Sequence, residues 1–242
     1  MRPIINVLVL VCALSALGNA YSQQAPLVDE FILDAARVVN DPDGFANVRS
    51  GPSLKSKIVD QVISGGVVTV EEALAGDWAK LTSGDGGDPP GYMHATRLSK
   101  INDWKQIGAH PTADGKTCLA QLPGFEVQVR RIPFKADDHV ITRDDQGVHL
   151  VDGKMPWGRD GGLPEASLVL AVRQGGKNVA IPAAATRDLY EPNMDSLFVL
   201  TPSDPAGQAL VLMLNSDGAG AYGVIWAFQN GSYRGRAVFN PF

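Results

Sequence analysis

Cysteine is almost missing from this chain. Cys12 and Cys118 are the only two in 242 residues, and Cys12 lies in an amino-terminal apolar run. A disulfide framework is therefore excluded, and stability has to come from buried apolar surface. Histidine is scarce as well. His94, His110, His139 and His149 are the only four, and their spacing matches no metal-ligand pattern, so no metal site is expected. No Gly-x-Ser-x-Gly elbow and no His-Glu-x-x-His pair occurs, and Asn215 to Gly220 lacks the Gly-Lys-Ser/Thr ending of a phosphate loop. No cofactor is expected. An excess of positive charge is absent too: 21 Lys and Arg stand against 26 Asp and Glu, a net charge of −5. That balance disfavours nucleic acid and disfavours adsorption on anionic lipid.

One apolar run is present, at the start. Met1-Arg2 gives a short positive beginning, Ile4 to Leu17 is almost wholly apolar, and Gly18-Asn19-Ala20 supplies small residues. This pattern predicts a secretory signal peptide over 1–20, too short to serve as a spanning helix. The expected protein then begins near Tyr21 and is exported, periplasmic or extracellular. No later run approaches membrane length, so no membrane insertion is expected after cleavage.

From Ala36 onward the chain alternates short β-prone runs with turn chemistry. Asn40-Asp41-Pro42-Asp43-Gly44 is a dense turn cluster, followed by the alternating run Phe45 to Arg49 and a break at Ser50-Gly51-Pro52-Ser53. Further strands are expected at Lys57 to Ile63, Val67 to Glu71 and Asp77 to Leu81, with a last one from Gly91 that Leu98 closes. Turn signals at roughly ten-residue spacing argue a small all-β barrel. The strings Asp43-Gly44-Phe45-Ala46-Asn47-Val48-Arg49-Ser50-Gly51-Pro52-Ser53, Gly76-Asp77-Trp78-Ala79-Lys80-Leu81 and Gly91-Tyr92-Met93-His94-Ala95-Thr96-Arg97-Leu98 carry a resemblance. Residues from about 35 to 100 resemble a bacterial SH3-type (SH3b) domain. The resemblance implies a targeting module of exported bacterial proteins, its ligand a cell-wall peptide or another envelope protein. Trp78, Tyr92, Asp43 and Asn47 are the candidate ligand-binding residues. Phe45, at the head of the alternating run, is expected in the barrel core.

Ser99 to Lys105 is short, which predicts that the remainder of the chain packs against the first module. The expected division is 1–20 signal peptide, 21–102 SH3b-like with its lead-in, and 103–242 all-β. In the last part, strands are expected at Phe125 to Ile132, Val140 to Arg143, Val148 to Asp152, Ser167 to Arg173, Asn178 to Ile181, Ser196 to Thr201, Ala209 to Asn215, Ala221 to Phe228 and Ser232 to Phe239. Asn230-Gly231 is the strongest hairpin signal, because both turn residues must accept positive φ. Val224, Trp226 and Phe228 alternate with Ile225 and Ala227, all apolar, which predicts a strand buried on two faces. One short helix is expected over Pro182 to Tyr190. The fold class is therefore mainly β: an SH3-like small barrel followed by an antiparallel sandwich or barrel with one short helix. Asp152 to Gly162, Asp188 to Asn193 and Asn215 to Tyr222 resemble an uncharacterised β-domain of exported bacterial proteins, which implies no activity.

Cys118 is the single candidate nucleophile, and Lys116-Thr117-Cys118-Leu119-Ala120 lacks both a nucleophile motif and a helix start. No catalytic residue is expected. Asp160, Asp195 and Asp217, acids close to glycines, form a weak candidate acidic site, although turn acids usually cap their own backbone. The expected function is an exported, non-enzymatic binding protein. An inhibitor or immunity-type protein acting on a wall-active enzyme is the alternative, and a wall hydrolase with an unfamiliar site is a second one.

Overall fold

The computed structural model describes residues 28–73, 76–82, 91–144, 149–159, 161–203, 207–216 and 218–241. It opens on a helix that the sequence pattern does not announce. Helix α1 (Glu30–Ala35) is six residues long, and the Asp29 side chain caps it by accepting from the Phe31 amide at 2.8 Å. Seven strands follow: β1 (Ala36–Val39), β2 (Phe45–Arg49), β3 (Ile58–Ile63), β4 (Val67–Ala73), β5 (Trp78–Leu81), β6 (Gly91–His94) and β7 (Leu98–Lys100). A 3₁₀ turn, Ala95–Arg97, separates β6 from β7, so the expected closing strand is two strands with a turn between them. All seven join one antiparallel sheet in the order β3-β2-β6-β5-β4-β1-β7.

This sheet does not close into the expected barrel. Among the described residues β3 and β7 are its edges, and β3 pairs only with β2. The Gly65–Gly66 turn that follows β3 lies against Arg234 of the second half. Its core is made of small and medium side chains: Val39, Ala46, Val48, Val70, Ala79, Leu81 and Met93. Phe45 is not among them. It is 39% exposed, which overturns the expectation that it fills the core.

The second half contributes β8 (Lys105–Gly108), β9 (His110–Pro111), β10 (Thr117–Leu122), β11 (Phe125–Pro133), β12 (Ile141–Arg143), β13 (His149–Val151), β14 (Ala166–Gln174), β15 (Lys177–Asn178), β16 (Leu197–Thr201), β17 (Gln208–Asn215), β18 (Tyr222–Gln229) and β19 (Ser232–Phe239). One five-stranded sheet runs β15-β14-β11-β10-β9 and the other β19-β18-β17-β16-β8, every pairing antiparallel. Their inner faces share a core that includes Cys118, Val127, Val129, Leu170, Val211 and Trp226, as expected of a sandwich. The β18–β19 hairpin turns on Asn230 (φ 51°) and Gly231 (φ 76°). This is the positive-φ pair that the dipeptide predicts.

The helix expected over Pro182 to Tyr190 is only a 3₁₀ turn, Ala183–Ala185. Thr186 leaves helical geometry at φ −141°. The Ala185 carbonyl accepts from Trp226 Nε1 at 2.8 Å and Arg236 Nη1 at 3.2 Å instead of continuing a helix.

The β19-to-β8 sheet is buried on both faces. Val211, Val224 and Trp226 look into the sandwich, whereas Phe198, Leu200, Leu210, Leu212, Ile225 and Ala227 pack with Val28, just ahead of α1, and with Ile32, Leu33, Ala36 and Val38 of α1 and β1. The expected two-faced burial of β18 is therefore present, and the SH3-like part supplies the cover. Among the described residues no helix is long and apolar enough to cross a membrane.

Candidate functional site

The small core of the first sheet decides what its outer face carries. Along β2, Ala46 and Val48 are buried, whereas Phe45, Asn47 and Arg49 point out. In β5, Ala79 and Leu81 face in while Trp78 and Lys80 are half-buried. In β6, Gly91 and Met93 are buried while Tyr92 and His94 are half-buried. Side chains alternate across a strand, so each aromatic shares its face with polar neighbours.

Strand register joins these outward positions into one surface, because directly paired residues lie on the same side of a sheet. Phe45 pairs with Ile63, and Asn47 with Gln61, whose Nε2 donates to Asn47 Oδ1 at 2.9 Å. Arg49 pairs with Tyr92, Tyr92 with Lys80, and Trp78 with His94. Arg49 also donates to the Ser56 carbonyl at 2.8 Å, a strut across the intervening turn. The Trp78 and His94 rings meet edge to face at 5.2 Å, and His94 Nδ1 lies 2.8 Å from Thr96 Oγ1. Lys80 Nζ reaches Glu71 at 2.5 Å, and that hydrogen bond holds the ammonium above its ordinary pKa. β3 adds exposed Ile58, Val59 and Ile63 at the sheet edge. An apolar and aromatic strip with polar rims results, the form that marks an interaction surface.

Of the sequence-predicted binding residues, Trp78, Tyr92 and Asn47 are thus brought onto one face. Asp43 stands apart on the turn before β2, exposed, its amide donating to Asp41 Oδ1 at 2.9 Å. Sequence reasoning missed Phe45 as a surface residue, together with Ile58 and Ile63. The signal was available: Phe45 shares its phase with Asn47 and Arg49, which are polar.

Gly91 permits the join between the two halves of the strip. Its φ is +116°, and a Cβ there would lie 2.3 Å from the Arg49 carbonyl oxygen. Only a residue without a side chain lets β6 approach β2 at this point.

Asp160 and Asp217 lie outside the described residues. Asp195 is exposed in a turn, its amide donating to Asn193 Oδ1 at 3.1 Å. Among the described residues no group of three or more His, Cys, Asp or Glu is placed to hold a metal ion. Cys118 is fully buried in the sandwich, and burial pushes its thiol up to about 11. A thiol so placed is a poor source of thiolate at neutral pH.

The three strings of the second half, by contrast, do interlock. Trp157 donates from its amide to the Asp188 carbonyl and accepts from the Tyr190 amide, and Tyr222 Oη donates to the Tyr190 carbonyl at 2.9 Å. Asp188 is held by Arg236 through two bonds of 2.7 and 2.6 Å, the carboxylate almost fully buried. Arg236, which sequence reasoning did not single out, neutralises that buried charge. The interlock positions loops, and its Asp188 carboxylate is spent on Arg236.

Comparison with protein families matches residues 44–99 to the bacterial SH3 domain. Comparison with curated proteins and with solved structures found no match for the chain.

Proposed function

With residues 44–99 assigned to the bacterial SH3 domain family, a binding-module fold, we propose that this protein is an exported, non-enzymatic binding protein whose outer SH3 face holds an extended cell-wall peptide. The observation that carries this reading is the inversion of the sheet: its core is filled by small and medium side chains while Phe45, Trp78 and Tyr92 lie on the outer face, Tyr92 in register with Arg49 and Lys80, Trp78 with His94 and Phe45 with exposed Ile63. A domain of this size normally needs its large rings inside. Leaving three of them outward favours recognition over stability. Bacterial SH3 domains are commonly cell-wall modules, and the amino-terminal pattern of charge, apolar run and small residues supports export. The burial and raised pKa of Cys118 argue against the one thiol that a cysteine hydrolase would use.

The test is sedimentation with insoluble peptidoglycan. The wild-type chain is expected to pellet with the polymer. Removing two ring anchors at about 2 kcal/mol each should abolish retention by the Phe45→Ala/Tyr92→Ala double variant, with its fold intact. Soluble wall fragments appearing in the supernatant would replace this reading with a hydrolase. Equal retention of wild type and double variant would remove the SH3 face from the proposal.

A further inference from the structure

The edge strand β3 is barely guarded. Among the described residues it pairs only with β2. Native edge strands are usually short, charged or interrupted by proline. β3 has six residues, no proline and one charge, Asp60. Along it Ile58, Val59 and Ile63 are 46, 50 and 43% exposed. Its one guard is the bulge near Ile58, where the register with β2 shifts. The opposite edge, β7, is three residues long, and its exposed residue is Lys100.

Hydrogen bonding shows which backbone groups of β3 look away from β2. Just past its end the Ser64 amide donates to the Gly44 carbonyl at 2.9 Å. In an antiparallel ladder successive residues turn their amide and carbonyl to opposite sides. Val62 and Asp60, paired with Ala46 and Val48, therefore bond toward β2 as Ser64 does, whereas Ile63 and Gln61 turn to the open side. Gln61 bears this phase out, because its amide donates to the Asp60 carboxylate at 2.7 Å and not to β2. The Ile63 carbonyl accepts from the Gly66 amide in the following turn at 2.9 Å. Among the described residues the Ile63 amide and the Gln61 carbonyl face outward with no ladder partner.

The same strand carries the outer face up to this edge. Ile63 pairs with Phe45, Gln61 with Asn47 and Ile58 with Arg49. A chain laid along β3 would take backbone bonds from Gln61 and Ile63 and set every second side chain beside this row. A second copy of the protein is a poorer occupant. A six-residue strand is about 20 Å long and a sheet about 10 Å thick, so two rigid edges would bury on the order of 400 Å² together. That is well under the roughly 1,200 Å² of a stable interface. A flexible peptide escapes the limit, because it can also settle onto Phe45 and the strip behind it.

We propose that an extended peptide of the wall polymer adds to β3 as a further strand of the SH3 sheet. It bonds to the backbone of Gln61 and Ile63, one of its carbonyls displacing the Asp60 carboxylate, and lays alternate side chains against Ile63 and Phe45. This rests on the wall-peptide reading above and adds the mode of capture. Hydrogen exchange of the full chain, free and retained on insoluble peptidoglycan, tests it residue by residue. The Gln61 and Ile63 amides should exchange at least tenfold more slowly in the retained chain, while those of Asp60 and Val62, already bonded to β2, change little. Gln61→Pro removes an outward amide at an edge position, where proline is tolerated. It should be retained about fivefold less than Gln61→Ala, which loses the same side chain and keeps the amide; that factor is the worth of one hydrogen bond. Retention without slowing at Gln61 and Ile63, or equal retention of the two variants, would overturn strand addition and leave the outer-face reading standing. Slowing of these amides in the free chain as its concentration rises would give the edge to a second copy and overturn the proposal. No retention of the wild type would overturn the wall-peptide reading and this proposal with it.

Discussion

Phe45 and Met93 exchange the roles that size alone assigns them. Phe45 is the larger side chain and is 39% exposed, while Met93 is fully buried among small neighbours. Phe45→Ala is therefore expected to cost no more than about 1 kcal/mol, as for a surface change. Met93→Ala should cost about 2–5 kcal/mol, the loss of buried contacts plus the cavity left behind. Thermal melts of the two variants check this, and a larger drop for Phe45→Ala would return that ring to the core. The inversion is legible in the alternation itself. Asn47 and Arg49 share the phase of Phe45, Lys80 that of Trp78, and His94 that of Tyr92; each ring travels with polar company, and the opposite phase is small and apolar. Reading hydrophobicity residue by residue hides this, because one phenylalanine outweighs one alanine. Cys118 is the second residue whose surroundings decide its chemistry. With its thiol pushed up to about 11 by burial, it should fail to react with a disulfide reagent at pH 8 in the native state and react fully once unfolded. Rapid labelling of the folded chain would show that the thiol is accessible and that the sandwich opens there.

Elements of ordinary strand chemistry are legible in the sequence, and those built on unusual residues are not. β2, β11, β14, β16, β17, β18 and β19 all carry β-branched or aromatic alternation bounded by turn residues. β10 escapes notice because its inward residues, Cys118 and Ala120, are small, and β8 because Lys105-Gln106-Ile107-Gly108 has one strong strand former. Helix α1 is too short to express a helical period and exists through its Asp29 cap and its packing. At the same scale, Gly91 governs whether β2 meets β6. Gly91→Ala combines a positive φ with a Cβ 2.3 Å from a carbonyl oxygen, so it should destabilise by at least about 1–3 kcal/mol and lower retention by the outer face. The β12–β13 hairpin has its own latch: His139 Nδ1 lies 2.9 Å from Asp152 Oδ2, and the Val140 amide donates to Oδ1 at 2.9 Å. The bond from His139, then that from Val140, holds the Asp152 carboxyl below its ordinary 3.8. A carboxyl depressed on folding stabilises at pH above its unfolded value and loses that contribution as pH falls through the folded one. Amide protection at Val140 should therefore be full near neutrality and drop below about pH 4, and Asp152→Asn should remove the pH dependence. Protection that stays constant to lower pH would mean that the hairpin does not rest on this carboxylate.

The molecule as a whole is organised around the β19-to-β8 sheet, which forms part of two cores at once. Its inner face closes the sandwich, and its outer face covers α1 and β1. Val28 donates from its amide to Gln106 Oε1 at 2.8 Å, and Asn102 Nδ2 donates to Asp34 Oδ1 at 2.7 Å, fastening the lead-in to the join. The SH3 sheet thus relies on the second half for part of its own burial. Val28, Ile32, Leu33 and Val38 are each under 7% exposed in the intact chain, and a fragment ending near residue 102 would uncover them. Each such side chain is worth about 1.5–3 kcal/mol when fully buried, so four of them amount to several kcal/mol at least. That is comparable with the roughly 5–15 kcal/mol by which a whole domain is stable. The 21–102 fragment is accordingly expected to be unfolded or to self-associate, whereas the intact chain melts in a single calorimetric transition whose measured and van't Hoff enthalpies agree. Phe198→Ala, placed at the shared core and far from the SH3 ligand face, should lower that one transition and leave it single. Two separate transitions in the intact chain, or a monomeric fragment as stable as the SH3 part within it, would show that the two halves fold independently and that their contact adds no stability.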